Sequence, residues 1–291
     1  MTIRNNEERM GARQRNSDPP PPQVENQKVE TTPEAPTPPI SFSTPTEFVD
    51  LPSRGLFYSE DHTLHGKDSI EIRYMTARDE DILTSRSLLK KGVAIDRLLQ
   101  NIIIDKKINL DSLLIGDKNA LIVAARITGY GAEYKTKLMC PSCGTHAQTS
   151  FDLESVGSQE LEMPPEVDKT ANGTFIVTPP RTKVQVELKL LTGADEKKLA
   201  KALVLKKKKN LPESTLTDQL RLSIVSVSGQ KEPNMINLFI ASLPASDARY
   251  IRDLYSQLMP NVDMTHDFEC DSCGYEQETE VPFTTDFFWP K

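Results

Sequence analysis

The chain has 291 residues, with 21 prolines, four cysteines, four histidines and a formal charge of −7 at pH 7. That acidic balance argues against a dedicated nucleic-acid binder, whose footprint is basic. No apolar run approaches the ~20 residues that span a bilayer, and the length suits one or two domains with sizeable cores.

Residues 1–45 hold nine of the 21 prolines and one aromatic, Phe42. Such a stretch buries too little apolar surface to offset its ordering entropy, which predicts a disordered Pro-rich tail. The first residues also lack a signal-peptide core, so a reducing cytoplasm is the expected compartment. Residues 46–69 follow as a strap docked on the core, built around the run Leu51-Pro52-Ser53-Arg54-Gly55-Leu56-Phe57-Tyr58. Its Pro/Gly turn and large apolar residues carry that reading.

Ile70–Met75 alternates as a strand. Thr76 then caps a helix with Asp79 and Glu80 in its first turn, where the helix dipole favours negative charge. The Thr76–Asp79 spacing is that of a capping motif. Ile95–Ile104 has helical apolar spacing, and a further helix is expected from Asp117 to Ile127, stopped by Gly129 and Gly131. Tyr134–Met139 and Ala147–Leu153 are strands flanking Cys140-Pro141-Ser142-Cys143-Gly144.

Residues 156–183 are rich in Pro, Gly, Ser and acid and are expected to be a linker. After it come a strand at Val184–Leu191, a helix from Asp195, a helix over Thr217–Val227 and a long helix at Ser246–Met259. The lysine run Lys206–Lys209 is expected in a solvated loop after Leu199–Leu205. Met264–Glu269 and Tyr275–Val281 flank Cys270-Asp271-Ser272-Cys273-Gly274. The end of the chain, residues 286–291, carries Phe287-Phe288-Trp289, which either packs back on the core or inserts into a partner.

Two ordered matches point to an internal duplication. Ile70–Thr76 followed by Asp79-Glu80 matches Val186–Thr192 followed by Asp195-Glu196 at an offset of 116 residues. Asp117, Leu121 and the first CxxC match Asp247, Ile251 and the second at an offset of 130. The expected fold is therefore α+β. It has two related α/β halves, residues 70–155 and 184–285, each ending in a CxxC β-hairpin, with an insertion in the second around Lys206–Lys209 and Ser214–Pro233.

The two knuckles contain every cysteine of the chain. Two residues between thiols and a glycine after them let two thiolates face one tetrahedral ion while the backbone turns. Cys140, Cys143, Cys270 and Cys273 are therefore the candidate ligands of one structural zinc per chain, a zinc-ribbon-like site formed jointly by the two halves. The alternative function is a zinc-ribbon regulatory factor associated with nucleic acid. A four-thiolate site is coordinatively closed, unlike a hydrolytic one. His62, His65, His146 and His266 form no HExxH pattern, and there is no P-loop or GxGxxG motif. No enzyme and no small-molecule substrate is expected.

Leu51–Tyr58, the run Ile70–Leu83, Gly116-Asp117-Lys118-Asn119-Ala120 and Arg126-Ile127-Thr128-Gly129-Tyr130-Gly131 resemble the T-even-type bacteriophage baseplate hub and hub-assembly family. The resemblance covers residues 48–153 well and is faint beyond. It implies a non-enzymatic phage protein that assembles the central hub of a contractile tail's baseplate. Its implied partners are other baseplate hub proteins, met in the host cytoplasm during assembly or in the virion tail. The zinc and the duplication rest on the residues themselves.

Overall fold

The computed structural model describes residues 43–159, 163–212, 214–281 and 287–288. The proline-rich segment 1–42 and Trp289 lie outside them. Strand β1 (Thr46–Asp50) pairs antiparallel with β2 (Ser69–Arg73), Val49 opposite Ile70 and Phe48 opposite Glu71. Between them the chain turns, burying Leu51, Phe57, Tyr58 and Leu64. At Gly55 the backbone is left-handed, and an added Cβ would lie 2.4 Å from the Lys67 carbonyl oxygen. Only glycine fits that turn.

Thr76 starts α1 (Ala77–Thr84) as expected: its N–H and its hydroxyl both donate to Asp79 Oδ2 at 2.8 Å. The short α2 (Arg86–Lys91) ends on left-handed Gly92, and α3 (Ala94–Ile102) buries Leu98, Leu99 and Ile102. Beyond a single 3-10 turn at Leu110–Ser112 runs α4 (Ile115–Tyr130), the longest helix of this part of the chain. It is buried on most sides, which places it at the centre rather than on a surface. The hairpin of β3 (Glu133–Met139) and β4 (His146–Asp152) follows.

The expected linker contributes to the fold instead. β5 (Gly157–Ser158), β6 (Asp168–Lys169) and β7 (Phe175–Val177) all lie within residues 156–183. β7 pairs with β8 (Val186–Leu188), giving an antiparallel sheet in the order β6-β7-β8 that a fourth strand at Ile224–Val227 completes, and Phe175 is 1 % exposed against Phe57. Pro and Gly content marked turns here, but the Phe175-Ile176-Val177 run is the strand that enters the core.

Three further expectations change. The Lys206–Lys209 run is not a loop, since α5 (Gly193–Lys208) takes in its first three lysines and ends on Lys209. There the lysines complement the negative end of the helix dipole, and Lys206 pairs with Asp218 of α6 (Thr215–Ser223). The helix expected over Thr217–Val227 ends at Ser223, because Ile224-Val225-Ser226-Val227 forms β9 (Ile224–Val227) beside β8. A short β-branched run favours the sheet when a strand edge is available. Helix α7 (Pro233–Ser242), with proline at its first position, was not anticipated.

The last long helix, α8 (Ala245–Leu258), buries Ile251, Leu254, Tyr255 and Leu258 on one face. β10 (Val262–Asp263) pairs with β5, and β11 (Thr265–Glu269) pairs with β12 (Glu276–Glu280) as the second hairpin. One apolar core runs through residues of both parts of the chain. Backbone bonds join them: Ile115 N–H donates to the Leu191 carbonyl and Gly193 N–H to the Leu113 carbonyl. Lys118, 7 % exposed, bridges Asp96 at 2.9 Å and Glu196 at 2.7 Å, crossing the same seam. Phe287 and Phe288 are buried, with Phe287 edge-on to Tyr134. The aromatic end thus packs back on the core at those two residues.

Candidate metal centre

Both cysteine pairs sit at the tips of antiparallel hairpins. The β3–β4 ladder runs from Glu133 opposite Asp152 to Met139 opposite His146, and the β11–β12 ladder from Thr265 opposite Glu280 to Glu269 opposite Glu276. At each tip the same turn forms. Cys140 N–H donates to the Thr145 carbonyl and Gly144 N–H to the Cys140 carbonyl, both at 2.9 Å. Cys270 N–H donates to the Tyr275 carbonyl at 2.9 Å and Gly274 N–H to the Cys270 carbonyl at 2.8 Å. Gly144 and Gly274 have φ of +72° and +67°, a left-handed conformation that costs a residue with a Cβ and suits glycine. The glycine after each CxxC is therefore what turns both thiols to one side.

The two tips meet. Cys140 Sγ lies 3.7 Å from Cys273 Sγ, Cys143 Sγ lies 3.7 Å from Cys270 Sγ, and all four sulfurs fall within 4.8 Å of one another. A disulfide would hold two sulfurs at about 2.0 Å, and all four cysteines are free. Thiolates about 2.3 Å from a tetrahedral ion stand roughly 3.8 Å apart, so the spacing here fits an ion at the centre.

The first cysteine of each pair is buried and the second exposed. Leu138, Ala147 and Phe268 pack around Cys140 and Cys270 as a small separate apolar cluster. That wall excludes water from one side of the sulfurs, where coordination has to replace solvation. His146 is exposed and His266 stands edge-on to Phe151 with ring centres 4.8 Å apart; among the described residues the donor cluster consists of the four thiols without histidine.

The sulfurs differ in acidity. Hydrogen bonds from the Thr145 side chain and backbone hold the Cys143 thiol down to about 6. Cys273, although a backbone hydrogen bond from Tyr275 favours its thiolate, is pushed up to about 12 by the partial loss of solvent beside the other sulfurs and by sharing protons with Cys143, Cys270 and Cys140. Four thiolates so close repel one another, and a central dication removes that conflict. Loading the site would release protons and tie the two hairpins together. With four sulfur donors the site has no open position for a reacting water.

Sequence spacing found the four cysteines but not the residues that serve them. Thr145 could have been noticed as the hydroxyl two residues after Cys143. Phe268 and Leu138 carry no such signal, since alternation marks them only as one face of a strand.

Residues 56–289 match the family model described as T4 bacteriophage base plate protein. The chain belongs to that family. Searches of curated proteins and of solved structures gave no match. The match spans both hairpins, so the cysteine cluster lies inside the family's region. A phage baseplate structural family agrees with the resemblance noted in residues 48–153 and extends it over the second part of the chain. Among the described residues no helix is long and apolar enough to cross a membrane.

Proposed function

We propose that this baseplate-family protein is a non-enzymatic hub subunit or hub-assembly factor, working by contacts with other baseplate hub proteins. One zinc ion per chain, held by Cys140, Cys143, Cys270 and Cys273, pins its two halves. The observation that carries the reading is the family match over residues 56–289, both cysteine hairpins included. The closed sulfur cluster supports a structural rather than a hydrolytic ion. The protein's place of action is the host cytoplasm during assembly, or, as a subunit, the virion tail baseplate.

The two halves are read as an internal duplication. Thr76 and Thr192 cap α1 and α5 through Asp79 and Asp195. Asp117 and Asp247, each third in its helix, accept backbone N–H bonds from a segment joining two strands, at Ser53 between β1 and β2 and at Arg181 and Thr182 between β7 and β8. Both helices then lead to a CxxC hairpin. Five matched positions in the same order are hard to obtain from unrelated halves.

A phage carrying an amber codon at Leu51 tests the role: heads and tail fibres form and complete baseplates do not. Normal baseplates from that mutant would refute it. Native mass spectrometry tests the ion, with one zinc per chain expected; none, or two, would refute the shared site.

A further inference from the structure

Among the described residues the outer edge of the first sheet strand is occupied in the second half and open in the first. Ile176 of β7 faces Glu187 on one side and Asp168 of β6 on the other. Phe48 of β1 faces Glu71, the residue 116 positions before Glu187, and no strand lies on its other side among the described residues. The ladder phase says which groups are affected. Leu51 N–H donates to the Asp68 carbonyl and Tyr74 N–H to the Pro45 carbonyl. In an antiparallel ladder the bonded pairs alternate, so Val49 and Glu47 bond to β2, while Phe48 and Asp50 turn their backbone N–H and C=O outward. Phe48 is 67 % exposed, a large apolar residue on a free edge.

That edge borders a groove of about 520 Å³. Its floor is Ala120, Val123, Ala124 and Ile127 of α4, and Val156 and Val262 close the far side. The charged residues on its lining are Glu47, Asp50 and Glu154, all acidic, with no lysine or arginine. A free ladder edge over an apolar floor is the arrangement that accepts an added strand. Small floor residues leave depth for the alternate side chains of the incoming segment.

We propose that β1 receives an extended strand from a partner protein, one with alternating apolar residues and basic flanks. The strand pairs with the outward groups of Phe48 and Asp50, lays its apolar side chains over α4, and sets its basic residues against Glu47, Asp50 and Glu154. Charge complementarity selects this occupant. The chain's own preceding segment fits less well. At the register β6 uses, Pro38 would stand opposite Asp50, one of the two residues whose backbone turns outward, and proline has no N–H for that ladder. The proposal adds a mode of contact to the assembly reading and stands without the metal.

Hydrogen exchange on the full chain tests it, with a synthetic peptide of alternating valine and threonine carrying a lysine pair at each end. The free chain should exchange the Phe48 and Asp50 amides fast, and peptide should slow both at least about tenfold. Phe48→Pro removes the outward N–H without touching the β2 ladder and should abolish binding, whereas Phe48→Ala, which keeps it, should bind. Asp50→Lys should weaken binding at low salt. No change in exchange on adding peptide would overturn the proposal, as would undiminished binding to a folded Phe48→Pro chain. Amides already protected without peptide, and released by Ile40→Pro, would overturn it in favour of the chain's own N-terminal segment.

Discussion

Helices α4 and α8 begin with the same device in different surroundings. Each has aspartate as its third residue, accepting bonds from a loop between two strands, β1 and β2 for α4 and β7 and β8 for α8. Asp117 takes three donors, the Ser53 N–H at 2.9 Å and the Ser53 and Tyr58 hydroxyls at 2.6 Å. Tyr58 in turn accepts the Leu114 N–H. Asp247 takes two backbone N–H groups from Arg181 and Thr182. The residue before Asp117 is Gly116, against the Pro260 backbone; the residue before Asp247 is the exposed Ser246. Hence α4 is the pivot on which the rest is packed, and α8 covers one side. Equivalent changes in the two helices should therefore have unequal effects, except where both halves serve one site.

That exception gives the largest expected effect. Cys143→Ser and Cys273→Ser each remove one of four sulfurs from a shared cluster. Both should lower the unfolding free energy by more than about 4 kcal/mol, because losing a structural ion is one of the few single changes of that size. Thermal unfolding with and without a chelator measures it. A chelator should bring the wild-type curve down to those of the variants. Unequal variants would break the idea that the halves contribute alike.

The next contrast is at the helix entrances. A Cβ on Gly116 would stand 1.8 Å from the Pro260 carbonyl oxygen, so backbone must move to admit it. Gly116→Ala should cost about 3 kcal/mol despite alanine's better helix propensity. Ser246→Ala, on the exposed counterpart, should stay within about 0.5 kcal/mol. Denaturant midpoints of the two variants decide the matter; equal losses would contradict the central position of α4.

The two halves also divide what the sequence could and could not reveal. Local chemistry was legible: the Thr76 and Thr192 caps, the strands at Ile70 and Val186, and the CxxC-Gly turns depend on residues a few positions apart. The cysteine cluster was legible because metal-ligand spacing is a short code repeated twice. What failed depended on distant neighbours. Ile224–Val227 continues a helical pattern by its apolar spacing, yet β8 offers it an edge. Lys206 reads as one charge in a run until Asp218 lies beside it. Gly116 carries no sign that Pro260 will press on it, and β1 carries none that its outer edge has no strand among the described residues while that of β7 is filled.

Below the glycine comes the aspartate pair. Asp117→Ala would leave the Ser53 N–H and two hydroxyls without their acceptor in a buried place, costing about 2–3 kcal/mol. Asp247→Ala frees only two N–H groups near the surface and should cost less. Burial holds the Asp117 carboxyl above the usual carboxylate range, against the hydrogen bonds from Ser53 and Tyr58 that lower it. Asp117→Asn, which keeps an acceptor, should recover part of the loss. Equal losses at Asp117 and Asp247 would remove the distinction between three donors and two.

The smallest expected effect concerns pH and compares the two caps. Burial would raise the Asp79 carboxyl, but hydrogen bonds from Arg73, Thr76 and Asn101 outweigh it and hold the group at about 2. Arg73 reaches both oxygens, at 2.6 and 3.0 Å. The folded value lies below the unfolded one, near 3.9. The stabilisation is therefore present above the unfolded value and is lost as pH falls towards the folded one. Its full size is about 2 kcal/mol. The Asp195 carboxyl is also held down, by Lys189 and Lys198 against burial. It has single-nitrogen lysine partners where Asp79 has a two-pronged arginine. Urea unfolding of wild type and Asp79→Asn at pH 6, 4 and 2.5 should show a stability gap that closes progressively with acid. The thiols affect both proteins alike and cancel in that difference. Asp195→Asn should show a smaller gap closing over the same window. A gap for Asp79→Asn that stays constant with pH would mean that its carboxylate charge contributes nothing to the cap.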